Sequence, residues 1–103
     1  MSQQIDAKKL QQRIQTGDTL NLLDVRESIE YHTFNIGGLN IPLPKLKENI
    51  SNITYNKTDE IIVICRAGIR SVTSLDILTQ SGYQNVVNLK GGLMALQKAN
   101  SKI

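Results

Sequence analysis

Apolar residues occur in short runs along the chain, and the longest run without a polar residue covers 61–65. Its first four residues, 61–64, are all β-branched, which is typical of a strand covered on both faces. Shorter runs at 20–25 and 86–89 predict two more buried strands, and a brief strand is predicted at 39–41. Ile5 is expected to open a short edge strand.

Helices are predicted between these strands. The first is capped by Asp6, has Ala7, Leu10 and Ile14 on its apolar face, and ends at Gly17. Short helical segments are expected at 28–33, and at 45–50 after two prolines have ended the strand at 39–41.

The longest predicted helix follows the β-branched strand. Ser71 is its expected N-cap, Val72, Leu75 and Leu78 form its apolar face, and Gly82 ends it. A last helix is predicted after 91–92 and through 98. The glycine pairs at 37–38 and 91–92 are interpreted as turns without a chemical role.

Short strands that alternate with helices predict an α/β fold with a mainly parallel sheet, and 103 residues suit a single domain over 1–103. Ligands of such sheets bind beyond the carboxyl ends of the strands. Cys65, the chain's only cysteine, follows the β-branched strand at such an end. The architecture therefore draws attention to this thiol.

Composition excludes several classes of protein. Apolar residues make up 40% and charged residues 20%, and the net charge of +3 is spread along the chain without a basic cluster or any Trp. We therefore expect no nucleic-acid interface and no membrane span. One Cys and one His exclude an internal disulfide and are too few for a zinc site, so no metal or cofactor is expected. The polar start at residues 1–4 lacks the features of a signal peptide, so we expect a cytoplasmic protein. A single domain without a long exposed apolar run is expected to be a monomer.

The residues after Cys65 are suited to binding an anion. If the loop wraps around the sulfur, the backbone N–H groups of 66–70 form a cradle, to which the next helix adds free donors. Gly68 allows a tight loop, and Arg66 and Arg70 bring two cations. Cations and a helix N-terminus lower the pKa of a thiol, and the thiolate is the nucleophile. The plain alternative is a buried cysteine followed by an ordinary turn.

Four segments carry a family resemblance: D-V-R-E at 24–27 with E-Y at 30–31, N-I-P-L at 40–43, I-V-I-C-R-A-G-I-R-S at 62–71, and N-L-K-G-G-L at 88–93. In this order and spacing the chain resembles the single-domain rhodanese (thiosulfate sulfurtransferase) family. The resemblance implies a rhodanese-like fold with a mainly parallel five-stranded sheet, flanked by helices on both faces. It also implies that Cys65 takes the outer sulfur of a small anionic donor such as thiosulfate as a persulfide and passes it to a thiophilic acceptor. A protein persulfide donor or acceptor is a further expected partner.

The resemblance also suggests roles for individual residues. The substrate-binding loop comprises Arg66, Ala67, Gly68, Ile69 and Arg70, and the two arginines are expected to bind the sulfonate end of thiosulfate. Asp24 and Arg26 are expected to support the loop, with Arg26 paired to Glu30.

Two other readings stay open from the sequence. One is a phosphatase-like or arsenate-reducing enzyme that uses the same Cys65 thiolate. It is disfavoured because the loop is C-x4-R, one residue shorter than the C-x5-R of those enzymes. The other is a non-catalytic interaction module. It is disfavoured because inactive members of the family usually lack the cysteine.

Overall fold

The β-branched run lies at the centre of the sheet. The computed structural model describes residues 3–67 and 69–100, and the side chains of 69–71 lie outside the description. The elements are β1 (Gln3–Ile5), α1 (Ala7–Gln15), β2 (Leu22–Asp24), α2 (Ser28–Thr33), β3 (Leu39–Asn40), α3 (Leu43–Leu46), a 3-10 turn (Ile50–Asn52), β4 (Glu60–Ile64), α4 (Ile69–Gln80), β5 (Asn85–Leu89) and α5 (Gly92–Asn100).

The five strands form one sheet in the order β1-β5-β4-β2-β3, and every adjacent pair is parallel. The predicted parallel α/β fold is therefore confirmed, with β4 in the middle position. Asp24 of β2 lies opposite Ile64 of β4, so the two strands end side by side. This register brings the segments after β2 and β4 to the same edge of the sheet.

Helices cover both faces of the sheet, as predicted. Alternate residues of β4 contribute to two separate apolar clusters, with Ile61 and Val63 in one and Ile62 and Ile64 in the other. The first cluster includes side chains from α3 and α4, and the second includes side chains from α1 and α5. Because all four of these side chains are fully buried, the uninterrupted apolar run is explained by its two covered faces.

Some predicted details are confirmed at individual residues. Asp6 caps α1, where its carboxylate accepts a hydrogen bond of 2.7 Å from the backbone N–H of Lys9. The bounds of α2, at 28–33, agree with the prediction, and Gly37 and Gly38 have the positive φ angles of turn residues.

Three helical predictions are wrong in part. Helix α4 begins at Ile69, so Ser71 lies within its first turn and is not its N-cap. Val72 and Ile14 were expected on buried faces but are 48% and 43% exposed, because the neighbouring elements cover only part of each helix. The segment predicted at 45–50 forms α3 and the 3-10 turn instead. Pro44 lies in the first turn of α3, where a missing N–H is tolerated.

Candidate active site

Cys65 directly follows β4 and is only 1% exposed. Its side chain belongs to the apolar cluster that includes residues of α3 and α4. The adjacent backbone is fixed by the neighbouring strand, since Val25 N–H donates to the carbonyl oxygen of Ile64 at 2.9 Å. The thiol is therefore held at the carboxyl end of the central strand, where parallel sheets bind their ligands.

Helix α5 holds the backbone of the Cys65 loop from the other side. The N–H of Leu93 donates to the Cys65 carbonyl at 2.8 Å, and the N–H of Met94 donates to the Arg66 carbonyl at 3.0 Å. These two amides belong to the first turn of α5, where backbone donors lack partners within the helix. The orientation of the first two loop residues is thus set by a separate element of the fold.

Gly92 permits this close approach. Its φ is +62°, and a Cβ atom at this position would lie 2.4 Å from the carbonyl oxygen of Cys65 and 2.5 Å from that of Arg66. A side chain here would overlap the backbone of the loop. The sequence interpretation of 91–92 as a plain turn missed this role. A glycine pair directly before a helix is the signal that points to it.

Asp24 and Arg26 form a buried ion pair beside the loop. Nε of Arg26 lies 3.0 Å and 3.1 Å from the two carboxylate oxygens of Asp24, and a terminal guanidinium nitrogen lies 2.8 Å from one of them. The same terminal nitrogen donates to the carbonyl of Phe34 at 2.6 Å. Arg26 therefore links the end of β2 to the segment that follows α2.

The predicted pair between Arg26 and Glu30 is wrong. Within the described residues the ion-pair partner of Arg26 is Asp24, and the carboxylate of Glu30 accepts from the N–H of Glu27 at the start of α2. The sharp turn after β2 places Arg26 back over Asp24, which the four-residue helical spacing to Glu30 did not anticipate. A supporting position of the two residues beside the loop is consistent with their burial.

The predicted substrate-binding loop is described only in part. Arg66 and Ala67 are exposed, and each lines a separate groove. Gly68 lies outside the described residues, as do the side chains of Ile69 and Arg70, whose backbone opens α4. The amide cradle and the contact of Arg70 with substrate stay predictions.

The groove beside Arg66 has a volume of about 480 Å³ and lies between α2, α5 and the loop. It brings Arg26 and Arg66 together, with Glu30 on the same wall. Ile29, Thr33, Phe34, Leu93, Met94 and Gln97 complete its lining. A small anion occupies only a fraction of such a volume.

In the part of the chain that the structure describes, no helix has the length and apolar character needed to cross a membrane.

Comparison with known proteins defines the class. The rhodanese-like domain model matches residues 6–99, and the chain belongs to this family of sulfurtransferases. The resemblance read from the four sequence segments is thereby confirmed.

Particular relatives agree with this assignment. A putative sulfur carrier protein of Bacillus subtilis is 32% identical over 91 residues, which cover 87% of this chain but only 48% of that protein. The chain thus spans about half the length of this relative. A thiosulfate sulfurtransferase of Escherichia coli is 37% identical over 70 residues, which cover 67% of each chain. The solution structure of a rhodanese-like domain from Anabaena has a TM-score of 0.84 at 28% identity and covers 96% of this chain and 76% of that one.

Proposed function

We propose that the protein transfers sulfane sulfur through a persulfide on Cys65, with thiosulfate or a persulfide as donor. The observation that carries the proposal is the position of this thiol at the carboxyl end of central strand β4, four residues before α4 begins. The name of the Escherichia coli relative supports thiosulfate as a donor. The short C-x4-R loop supports a sulfur atom over a tetrahedral phosphate as the group that is held.

The reaction needs no cofactor and proceeds in two displacements. The Cys65 thiolate attacks the outer sulfur of thiosulfate, the sulfur–sulfur bond breaks, and sulfite leaves with the bonding electron pair. A thiophilic acceptor such as cyanide then attacks the terminal sulfur of the persulfide. Thiocyanate is released, and Cys65 is restored as the thiolate.

The loop residues have separate roles in this proposal. The backbone N–H groups of 66–70 surround the terminal sulfur, and Arg66 and Arg70 bind the sulfonate oxygens of thiosulfate. Asp24 and Arg26 do not contact substrate. They fix the end of β2, which lies beside the end of β4, and the segment at Phe34, which lines the same groove as Arg66.

Wider features of the protein are proposed with it. One domain over 1–103 is supported by the family match and by the single sheet that includes all five strands. A cytoplasmic location is proposed because Cys65, the chain's single cysteine, must stay reduced to act as the nucleophile, and cysteines stay reduced in that compartment. Light scattering during gel filtration tests the further proposal that the protein is a monomer.

Intact-mass measurement of the wild type and of Cys65→Ser after incubation with thiosulfate tests the central proposal. The wild type is expected to gain the mass of one sulfur atom and to lose it on addition of cyanide, with release of thiocyanate. Cys65→Ser is the matched control, because serine keeps the size of the side chain without a nucleophilic thiolate. The proposal fails if the wild type gains no sulfur from thiosulfate or from a persulfide donor.

A further inference from the structure

Exposed apolar side chains are concentrated around the Cys65 loop. Among the side chains that the structure describes, the exposed large apolar ones are Ile14, Ile29, Phe34, Val72 and Met94. All except Ile14 line one of the two grooves that flank the loop. We call these four residues, Ile29, Phe34, Val72 and Met94, the apolar rim. Single exposed apolar residues are ordinary on a protein surface, but their concentration at one place indicates a contact surface.

The two grooves are lined by adjacent residues of the loop, Arg66 in one and Ala67 in the other. The groove beside Arg66 has a volume of about 480 Å³, and the groove beside Ala67 has a volume of about 470 Å³. Together they are far larger than a thiosulfate ion needs, and the apolar side chains of their walls offer no hydrogen bond to its charged oxygens. The rim therefore suits a larger occupant that brings apolar groups of its own.

The wall of the first groove is held in place by the buried ion pair. Arg26 binds Asp24 and the carbonyl of Phe34, so the segment after α2 is attached to the end of the sheet. On the opposite wall, Met94 is anchored through its backbone N–H to the carbonyl of Arg66. A surface whose backbone is fixed before binding loses little conformational freedom when a partner docks.

The charges at the rim indicate the chemistry of that partner. Arg66 and Lys90 are exposed, one in each groove. The positive charge of Arg26 is neutralised by the carboxylate of Asp24. Glu30 is the one carboxylate that lines either groove within the described residues, and it accepts a hydrogen bond from the backbone of Glu27. These two exposed cations, one in each groove, favour carboxylates on the partner.

We propose that the apolar rim docks a cysteine-bearing segment of a protein acceptor, with apolar side chains beside its cysteine and carboxylates at its edges. This inference rests on the proposed persulfide chemistry of Cys65. The acceptor thiolate attacks the terminal sulfur of the Cys65 persulfide and becomes a persulfide itself. The sulfur–sulfur bond of the enzyme persulfide breaks, and its electron pair stays on Cys65 as the thiolate.

Two synthetic peptides test the docking surface. Both have a central cysteine and a glutamate at each end, and they differ only in having leucines or glutamines beside the cysteine. With Cys65 loaded from thiosulfate, we expect kcat/KM for the leucine peptide to exceed that for the glutamine peptide by about tenfold. The combined Ile29→Gln and Met94→Gln variant is expected to abolish this preference, because it removes apolar contact from both walls of the groove.

Two controls separate the outcomes. Ile14→Gln removes an exposed apolar side chain that lines neither groove, and it should keep the preference of the wild type. The rate of sulfur transfer from the Cys65 persulfide to cyanide should be equal in the wild type and both variants, because cyanide is too small to need contact with the apolar rim. If loading and cyanide transfer succeed but the two peptides react equally in the wild type, the docking proposal is overturned and the persulfide chemistry stands. If neither thiosulfate nor a persulfide donor loads Cys65, both proposals fall.

Discussion

Substitution of Gly92 by alanine is the most direct test of how the Cys65 loop is held. A Cβ atom at this position would lie 2.4 Å from the Cys65 carbonyl oxygen, whereas ordinary van der Waals contact begins near 3.4 Å. The loop and the start of α5 must therefore separate by about 1 Å. This movement would strain the hydrogen bonds that Leu93 and Met94 donate to the loop.

The expected cost has two parts. The positive φ of Gly92 costs an alanine about 1–2 kcal/mol, partly offset by the lower entropy of the unfolded chain. The overlap with the loop adds about 1–3 kcal/mol, as for other overpacked sites. Because a domain of this size is stable by only about 5–15 kcal/mol, Gly92→Ala should still fold but melt at a clearly lower temperature.

Gly17→Ala separates backbone strain from overlap. Gly17 has a similar φ of +80°, but an added Cβ would meet no atom within 4 Å. Only the first cost applies there, so thermal unfolding followed by circular dichroism should give a smaller decrease in Tm than for Gly92→Ala. Each additional kcal/mol corresponds to about 4–8 °C in a domain of this size.

Sulfur transfer provides the decisive measurement. A displacement of about 1 Å at a reacting centre can lower a rate by about 100-fold. We therefore expect the single-turnover rate of persulfide formation to be about 100-fold lower in Gly92→Ala than in the wild type. The rate is measured at a temperature where Gly92→Ala and Gly17→Ala are both folded. Gly17→Ala should stay near the wild-type rate. Gly92→Ala with the wild-type rate and the Tm of Gly17→Ala would refute the role given to this glycine.

Two further predictions concern stability. Asp24→Asn leaves the buried guanidinium of Arg26 without its counter-charge and should destabilise the protein by about 3–5 kcal/mol in urea unfolding. Asp18→Asn, which removes a half-exposed partner of Arg13, should lower the free energy of unfolding by less than about 1 kcal/mol. Equal losses in the two variants would contradict the importance given to the buried pair. Tyr55 donates to the Leu22 carbonyl at 2.8 Å, and burial raises the pKa of Tyr55. The folded state therefore favours the neutral phenol, and this stabilisation is complete below about pH 10 and is lost as the pH rises through the raised pKa. Tyr55→Phe should lower the stability at pH 7 by about 1 kcal/mol and reduce its decline above pH 10, and an unchanged alkaline decline would count against the assignment.

Local sequence signals predicted most of the fold. The β-branched residues 61–64 indicated a strand with two covered faces, and Asp6 indicated the start of α1. Both signals act within a few residues, so no knowledge of the tertiary structure was needed. The same holds for the placement of Cys65 after a buried strand.

The failures concern contacts that the tertiary structure decides. Val72 has the spacing of a core residue, but α4 is rotated so that this side chain faces a groove. Arg26 was expected to pair with Glu30 on helical spacing, but the turn after β2 brings it to Asp24 instead. The glycine pair at 91–92 is a local signal of unusual backbone, but the role of Gly92 depends on a loop more than twenty residues earlier in the chain, which the pair does not identify.

The order of strands in the sheet has a consequence for how the chain folds. β1 pairs with β5, with Gln3 opposite Val87 and Ile5 opposite Leu89, so this ladder joins nearly opposite ends of the described chain. Contacts between residues so far apart in sequence form late, because closing a long loop costs chain entropy before any contact is gained. During synthesis β1 emerges first but has no partner until β5 has been made. A chain that stalls before residue 85 therefore presents β1 and the β4 edge unpaired, and unpaired edges are where strands from other chains add.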